Sequence, residues 1–252
     1  MTNPNTRPAR PEASPRRPRS RRNAPNTTPD KTKNRRAKRS PLPYIWLGVV
    51  LLCALILAVA VVSRNKAQAE LLSLRTLRAE MAQRHQDDIA YYANMRRRSG
   101  VMDTIQRYAN EYSVHPSLVS AVIARESSYD QYAQSGVGAR GLMQIMEDTG
   151  EWIAGKLGYK DYQYDHLYDP DLNIRFGTWY LAYLSDQYGG NPVMVASAYH
   201  AGRNNVDLWA LSYAEDERIL SIDRIPKDDT RDYVQKVMNA YALYFEYDSQ
   251  VF

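Results

Sequence analysis

Nineteen consecutive residues without a charge, Tyr44 to Val62 (YIWLGVVLLCALILAVAVV), constrain this chain more than any other stretch. As a helix they rise about 28 Å, close to the roughly 30 Å of a hydrocarbon core, so the run is long enough to span a bilayer. Arg35, Arg36, Lys38 and Arg39 stand just before it, and Tyr44 and Trp46 lie at interfacial depth. By the positive-inside rule the N-terminus is then cytoplasmic and everything after Val62 lies outside. A cleaved signal peptide is the competing reading, because Ala58-Val59-Ala60 has the small residues of a cleavage site. Against it stand the forty-residue leader and an apolar run that continues to Val62.

The net charge of +5 conceals two opposite halves. Residues 1–40 carry thirteen Lys and Arg against Glu12 and Asp30, whereas residues 99–252 carry twelve basic against twenty-two acidic side chains. An acidic C-terminal part presents no phosphate-binding surface, so no nucleic-acid partner is expected. The basic tail enforces topology, and anionic lipid headgroups of the cytoplasmic membrane are a natural sink for its charge. With almost no large apolar side chain to offset the entropy of ordering, residues 1–40 are expected to be disordered. The single cysteine, Cys53, excludes an intramolecular disulfide and a thiolate-rich zinc site.

Four segments follow: a basic cytoplasmic tail (1–40), a transmembrane signal-anchor helix (41–63), a helical stalk (64–98) and a folded domain (99–252). The stalk holds neither Gly nor Pro. Leu71, Leu74, Leu77 and Met81 have partial heptad spacing that fades at His85, which reads as a spacer helix and leaves the oligomeric state open. Beyond Met102 the pattern is mainly α. Pro116 opens LVSAVIAR, Asp169-Pro170 and Asn191-Pro192 are N-cap and first-turn pairs, and Gly189 ends the segment containing Trp179, Leu181 and Leu184. A last helix runs from about Asp229 to Phe245, and nothing alternates as a strand would.

Within LVSAVIARESSYD, Val119, Val122, Ile123 and Glu126 recur at i, i+3, i+4 and i+7, so a carboxylate occupies the buried stripe of an apolar helix. Either Glu126 pairs with Arg125 or Arg140 or turns to solvent, or burial raises its pKa, the condition for donating a proton near neutrality. Downstream, SGVGARGLMQIM supplies a small-residue turn at Ser135, Gly136, Gly138 and Gly141, after which Leu142 to Met146 are expected to resume as helix. ASAYHAGRNNV and DDTRDYVQKV follow. The histidines have no ligand spacing, and Asp161, Asp165, Asp169 and Asp171 lack the order of a calcium loop, so no metal is expected and a solvated acidic loop is.

In this order and at these distances the four segments resemble the soluble lytic transglycosylase family, related in fold to goose-type lysozyme, over residues 103–245. The resemblance implies a lysozyme-like helical catalytic domain. It places the catalytic acid at Glu126 in the Glu126-Ser127 pair. It lines the sugar cleft with Gln144 and Met146, puts Ser135 at its edge and Tyr199 facing the acid, and adds Tyr233 from the fourth motif. Two positions depart from the pattern: His200 stands where Asn is usual, and Asp229 where Glu is common. His200 is then either a neutral packing substitute or a titrating group beside the cleft.

The implied activity is cleavage of peptidoglycan glycan strands between N-acetylmuramic acid and N-acetylglucosamine, with closure of a 1,6-anhydro ring and without metal or cofactor. Glu126 would act as acid and then as base, in contrast to the two carboxylates of ordinary glycosidases. A hydrolysing muramidase and a catalytically silent peptidoglycan-binding module are the rival expectations.

Overall fold

The computed structural model describes residues 42–213 and 219–251. The expected disorder of residues 1–40 lies outside them. Two units divide at Arg64. The described part of the first belongs to helix α1 (Leu42–Ser99), whose most apolar eighteen residues have a mean hydropathy of 3.1. This is a helix long and apolar enough to cross a membrane, and its side chains are exposed throughout this part.

The second unit, from Asn65, carries the rest of α1 and seven further helices: α2 (Met102–Tyr112), α3 (Pro116–Ser127), α4 (Glu147–Leu157), α5 (Pro170–Gln187), α6 (Pro192–Ala201), α7 (Arg203–Tyr213) and α8 (Asp228–Val251). Short 3-10 turns cover Tyr164–Tyr168 and Ile222–Arg224. The mainly α expectation is borne out. Among the described residues no strand forms; single bridges join Arg140 to Gln134 and to Ile145.

The helix starts are chemically explicit. Pro116, Pro170 and Pro192 each occupy the first turn, where a missing N–H costs nothing. Asp169 accepts from Leu172 N at 3.0 Å, and Asn191 accepts from Val193 N and Met194 N at 3.0 and 3.2 Å. His115 caps α3 through Nδ1 on Ser117 N at 3.2 Å. The core gathers Val119, Val122 and Ile123 from α3 with Phe176 and Leu181 from α5, Val195 from α6 and Val237 and Tyr244 from α8. Helix α3 packs chiefly on α8, so these two helices frame whatever stands at their facing ends.

Three sequence expectations need correction. First, the stalk is not a spacer over its whole length. Ile89, Ala93 and Arg96 are buried in the unit, with Arg96 2% exposed. The Arg96 guanidinium is ion-paired with Asp248 of α8, donates to Ser120 Oγ at 3.3 Å and lies 4.8 Å from the Tyr244 ring centre. The last three turns of α1 therefore belong to the domain, and the same contacts extend α8 past Phe245 to Val251. Second, residues 142–146 are not helical, because their backbone groups bond to side chains, as described below. Third, the aspartates of the 161–171 stretch, exposed as expected, are also paired: Asp165 with Arg140, while Asp171 accepts from Arg107 Nη1 at 2.8 Å and Tyr108 Oη at 2.5 Å.

Candidate active site

Helix α3 delivers Glu126 one residue before its end. Ser128 closes the helix in the left-handed region (φ 52°), and Tyr129 follows at φ 68°. The Glu126 carboxylate faces α8, where Tyr233 Oη donates to Glu126 Oε1 at 2.6 Å. Burial pushes the Glu126 carboxyl up from 4.5 to about 7, against the Tyr233 bond and the Arg125 charge, which both pull it down. Neither expected ion pair forms. Arg140 pairs with Asp165 and lies 3.9 Å from the Tyr164 ring centre, while Arg125 sits 5.5 Å over the Tyr233 ring.

Tyr199, on α6, donates its hydroxyl to Met143 O at 2.8 Å, not to Glu126. It stands near enough for the Glu126 charge, together with burial, to hold its phenol far above the usual range. Tyr233 is held high by the same two causes, so both phenols remain protonated donors at working pH. The group in direct contact with the acid is thus Tyr233.

His200 stacks on the Tyr233 ring, 4.3 Å between centroids and 25° between planes, and its Nδ1 lies 3.2 Å from Thr230 Oγ1. Burial holds its pKa below the usual 6.5, with Asp229 pulling upward and Lys227 and Arg125 downward. Asp229 accepts from Thr230 N at 2.6 Å and pairs with Lys227 at 3.2 Å. This shorter acidic residue is therefore joined to the acid's surroundings through Thr230, His200 and Tyr233.

The segment before α4 is a turn held by side chains. Gln144 adopts φ 47° and donates Nε2 to Ala133 O at 2.9 Å and Gly141 O at 3.0 Å. Ser127 Oγ donates to Leu142 O at 2.8 Å, and Ser135 Oγ accepts from Ala139 N at 2.9 Å, so both hydroxyls are engaged within the loop framework. Met146 precedes α4 and is exposed.

The family model described as the Transglycosylase SLT domain matches residues 103–221. This stretch resembles an SLT domain. It is 34% identical over 147 residues to the soluble lytic murein transglycosylase of Escherichia coli K12, covering 58% of this chain and 23% of that protein. To the membrane-bound lytic murein transglycosylase C of Serratia proteamaculans it is 32% identical over 167 residues, 56% of this chain and 45% of that one. The solved structure of an inactive mutant of the lytic transglycosylase Slt from Pseudomonas aeruginosa superposes with a TM-score of 0.53 at 36% identity, covering 58% and 24% of the two chains. The chain spans less than half the length of each of these relatives.

Inside residues 103–221, sequence reasoning missed Asn173. This fully buried residue of α5 accepts from Met143 N at 2.8 Å and donates to Arg140 O and Leu167 O at 3.0 and 2.8 Å. It holds the loop that carries Gln144 to the helical scaffold. The signal was present: Asn173 interrupts the buried stripe of α5 just as Glu126 interrupts that of α3. Gly141, at φ 76°, lies against Asn173 and the Leu167 carbonyl, and Gly177 lies against Met143, so a Cβ at either would collide there.

Proposed function

We propose that the chain is a membrane-anchored lytic transglycosylase that cleaves the β-1,4 bond between N-acetylmuramic acid and N-acetylglucosamine in peptidoglycan. The observation that carries this reading is the environment of Glu126: a carboxyl raised to about 7, bonded by Tyr233, with Arg125 as the charge acting on it. At neutral pH such a group is divided between acid and base, so one residue can fill both roles in turn. Glu126 protonates the glycosidic oxygen and the substrate's 2-acetamido group stabilises the positive centre. The carboxylate left behind takes the proton of the C6 hydroxyl as the 1,6-anhydro ring closes. Tyr233 holds the carboxylate through its 2.6 Å bond, and Tyr199 fixes the Met143–Gln144 turn. Gln144 and Met146 form the cleft wall that keeps the glycan in register, and Ser127 and Ser135 brace it through Leu142 O and Ala139 N. Mass spectrometry of peptidoglycan digested by the purified chain tests the reading. Anhydro ends are expected; reducing ends would mean a muramidase, and uncut glycan a binding module.

The pH dependence follows with a definite sign. The first step needs protonated Glu126, so kcat/KM should hold below pH 7 and fall as pH rises through about 7. Burial pushes the His200 imidazole below its usual range, toward the neutral form. His200→Asn should leave activity at neutral pH within about threefold and the profile's shape unchanged between roughly pH 6 and 8. An acid limb present in the parent and absent in His200→Asn would show that His200 titrates in the reaction.

For the membrane, the apolar helix and the basic residues before it support an N-terminus inside and a catalytic domain outside, with residues 41–63 as anchor and 99–252, joined by the last turns of the stalk, as catalytic unit. Protease added to intact spheroplasts should remove the domain, and sequencing of the mature protein should recover residues upstream of Tyr44. A mature terminus near Val61 would identify a cleaved signal instead.

A further inference from the structure

Residues 65–88 of α1 are exposed on every side, and the helix becomes buried in the domain only at Ile89. Leu71, Leu74, Arg78, Met81 and His85 recur at intervals of three and four, so they form one stripe, which Ile89, Tyr92 and Arg96 continue. From His85 onward the chain's own α8 covers this stripe. His85 Nε2 lies 2.8 Å from Glu246 Oε2, Tyr92 packs edge-on against Tyr244, and Arg96 is ion-paired with Asp248. Upstream, no described residue covers it. Leu71, Leu74, Leu77 and Met81 are 49–62% exposed, a row of large apolar side chains along one side of a helix that nothing in the domain touches. Their spacing is that of a coiled-coil seam, with Leu71 and Arg78 at a positions, Leu74 and Met81 at d, and Ala67 at the preceding d. The flanking positions complement one another: Glu70 at g and Arg75 at the next e carry opposite charges, and Leu77 at g has Ala82 at the next e. Neither the Glu70 nor the Arg75 side chain makes a hydrogen bond or ion pair among the described residues.

We propose that this stripe is covered by the same stripe of a second copy of the chain, as a parallel two-stranded coiled coil over residues 67–81 in which Glu70 of each copy faces Arg75 of the other. For its direction the inference rests on the reading of residues 41–63 as an anchor, which holds the N-terminal ends of both helices at one membrane; it is independent of Glu126. A single polar residue at an a position fixes register and strand number at some cost in stability, and Arg78 is that residue. The seam is short. Roughly two heptads are marginal in free solution, and confinement to one membrane raises the effective concentration at which the helices meet. The downstream limit has a structural cause, because from His85 the same face belongs to α8 through Glu246 and Asp248. A pair of chains then carries two catalytic domains, each docked on its own helix.

The test is disulfide crosslinking of the full chain in membranes of the expressing cells, with Cys53→Ser as background so that one cysteine is introduced at a time. Every substituted position is exposed, so the domain should stay folded. Leu74→Cys and Met81→Cys, on the seam, should give a covalent dimer under mild oxidation at a yield about fivefold or more above Thr76→Cys and Gln83→Cys on the outer face. Adding Glu70→Arg to Leu74→Cys sets like charges against each other and should cut the yield about threefold; adding Arg75→Glu as well should restore it. Equal yields at all four positions, or no dimer at Leu74→Cys and Met81→Cys, would overturn the proposal, and so would a yield that Glu70→Arg leaves unchanged or that Arg75→Glu does not restore. Retention of the chain in the membrane pellet after a carbonate wash checks the anchor separately. If the chain washes off, the anchor reading fails, and the same set of positions measured on the soluble chain still decides the pairing by the same outcomes.

Discussion

Glu126→Gln should abolish glycan cleavage while the domain remains folded and continues to bind peptidoglycan. Gln is nearly isosteric and can still accept from Tyr233 Oη, which now stands 2.6 Å from the carboxylate. It can neither give nor take the proton, a function worth about 10² to 10⁴ in rate, and here one residue performs it twice. The substitution should also carry a stability signature. The Glu126 carboxyl ionises near 4.5 when unfolded but near 7 when folded. The folded state therefore holds the extra proton between these values, and stability of the parent falls as pH rises from about 4.5 to 7. Gln does not titrate, so the melting temperature of Glu126→Gln relative to the parent should rise across that window and level off above it. Retained activity would remove Glu126 from the mechanism. A melting difference that is flat with pH would show that the carboxyl is not raised.

Asp248→Asn should produce the largest loss of stability among single substitutions outside the catalytic cleft. The Arg96 side chain is 2% exposed, and Asp248 is its counter-charge, itself held by Ser117 Oγ at 2.7 Å. Asn keeps the shape and removes the charge, leaving a buried guanidinium uncompensated, which costs about 3–5 kcal/mol. For a domain of this size that is roughly a 10 °C fall in melting temperature. Replacing both partners together, as Arg96→Met with Asp248→Leu, should recover much of the loss, because the isolated charge rather than the missing bond is what destabilises. A fall below about 2 °C for Asp248→Asn would mean that the stalk end does not dock as described. Thermal melts followed by circular dichroism measure both variants.

Much was legible in the sequence, and for local reasons. The apolar span, the proline-marked starts of α3, α5 and α6 and the all-helical domain follow from periodicity, capping and composition, which act within a few residues. Glu126 was legible because a carboxylate on an apolar stripe is costly wherever it falls. By the same rule Asn173 was legible too, though it went unread. The turn at Leu142–Met146 was misread as helix because its backbone groups are satisfied by the side chains of Ser127, Asn173 and Tyr199, each fifteen or more residues from the group it bonds.

The sequence by itself determined that the chain has a membrane-length helix, a helical domain and an acid at the end of a buried stripe. Only the tertiary structure decided which tyrosine touches that acid: Tyr233, 107 residues away on α8, while Tyr199 serves the Met143 carbonyl. It also decided that α1 from Ile89 onward packs into the helical unit. The physical reason is the range of the forces involved. Propensity and periodicity are written in neighbouring residues. Burial, pKa and the pairing of a charge such as Arg96 depend on segments that meet only when the chain has folded.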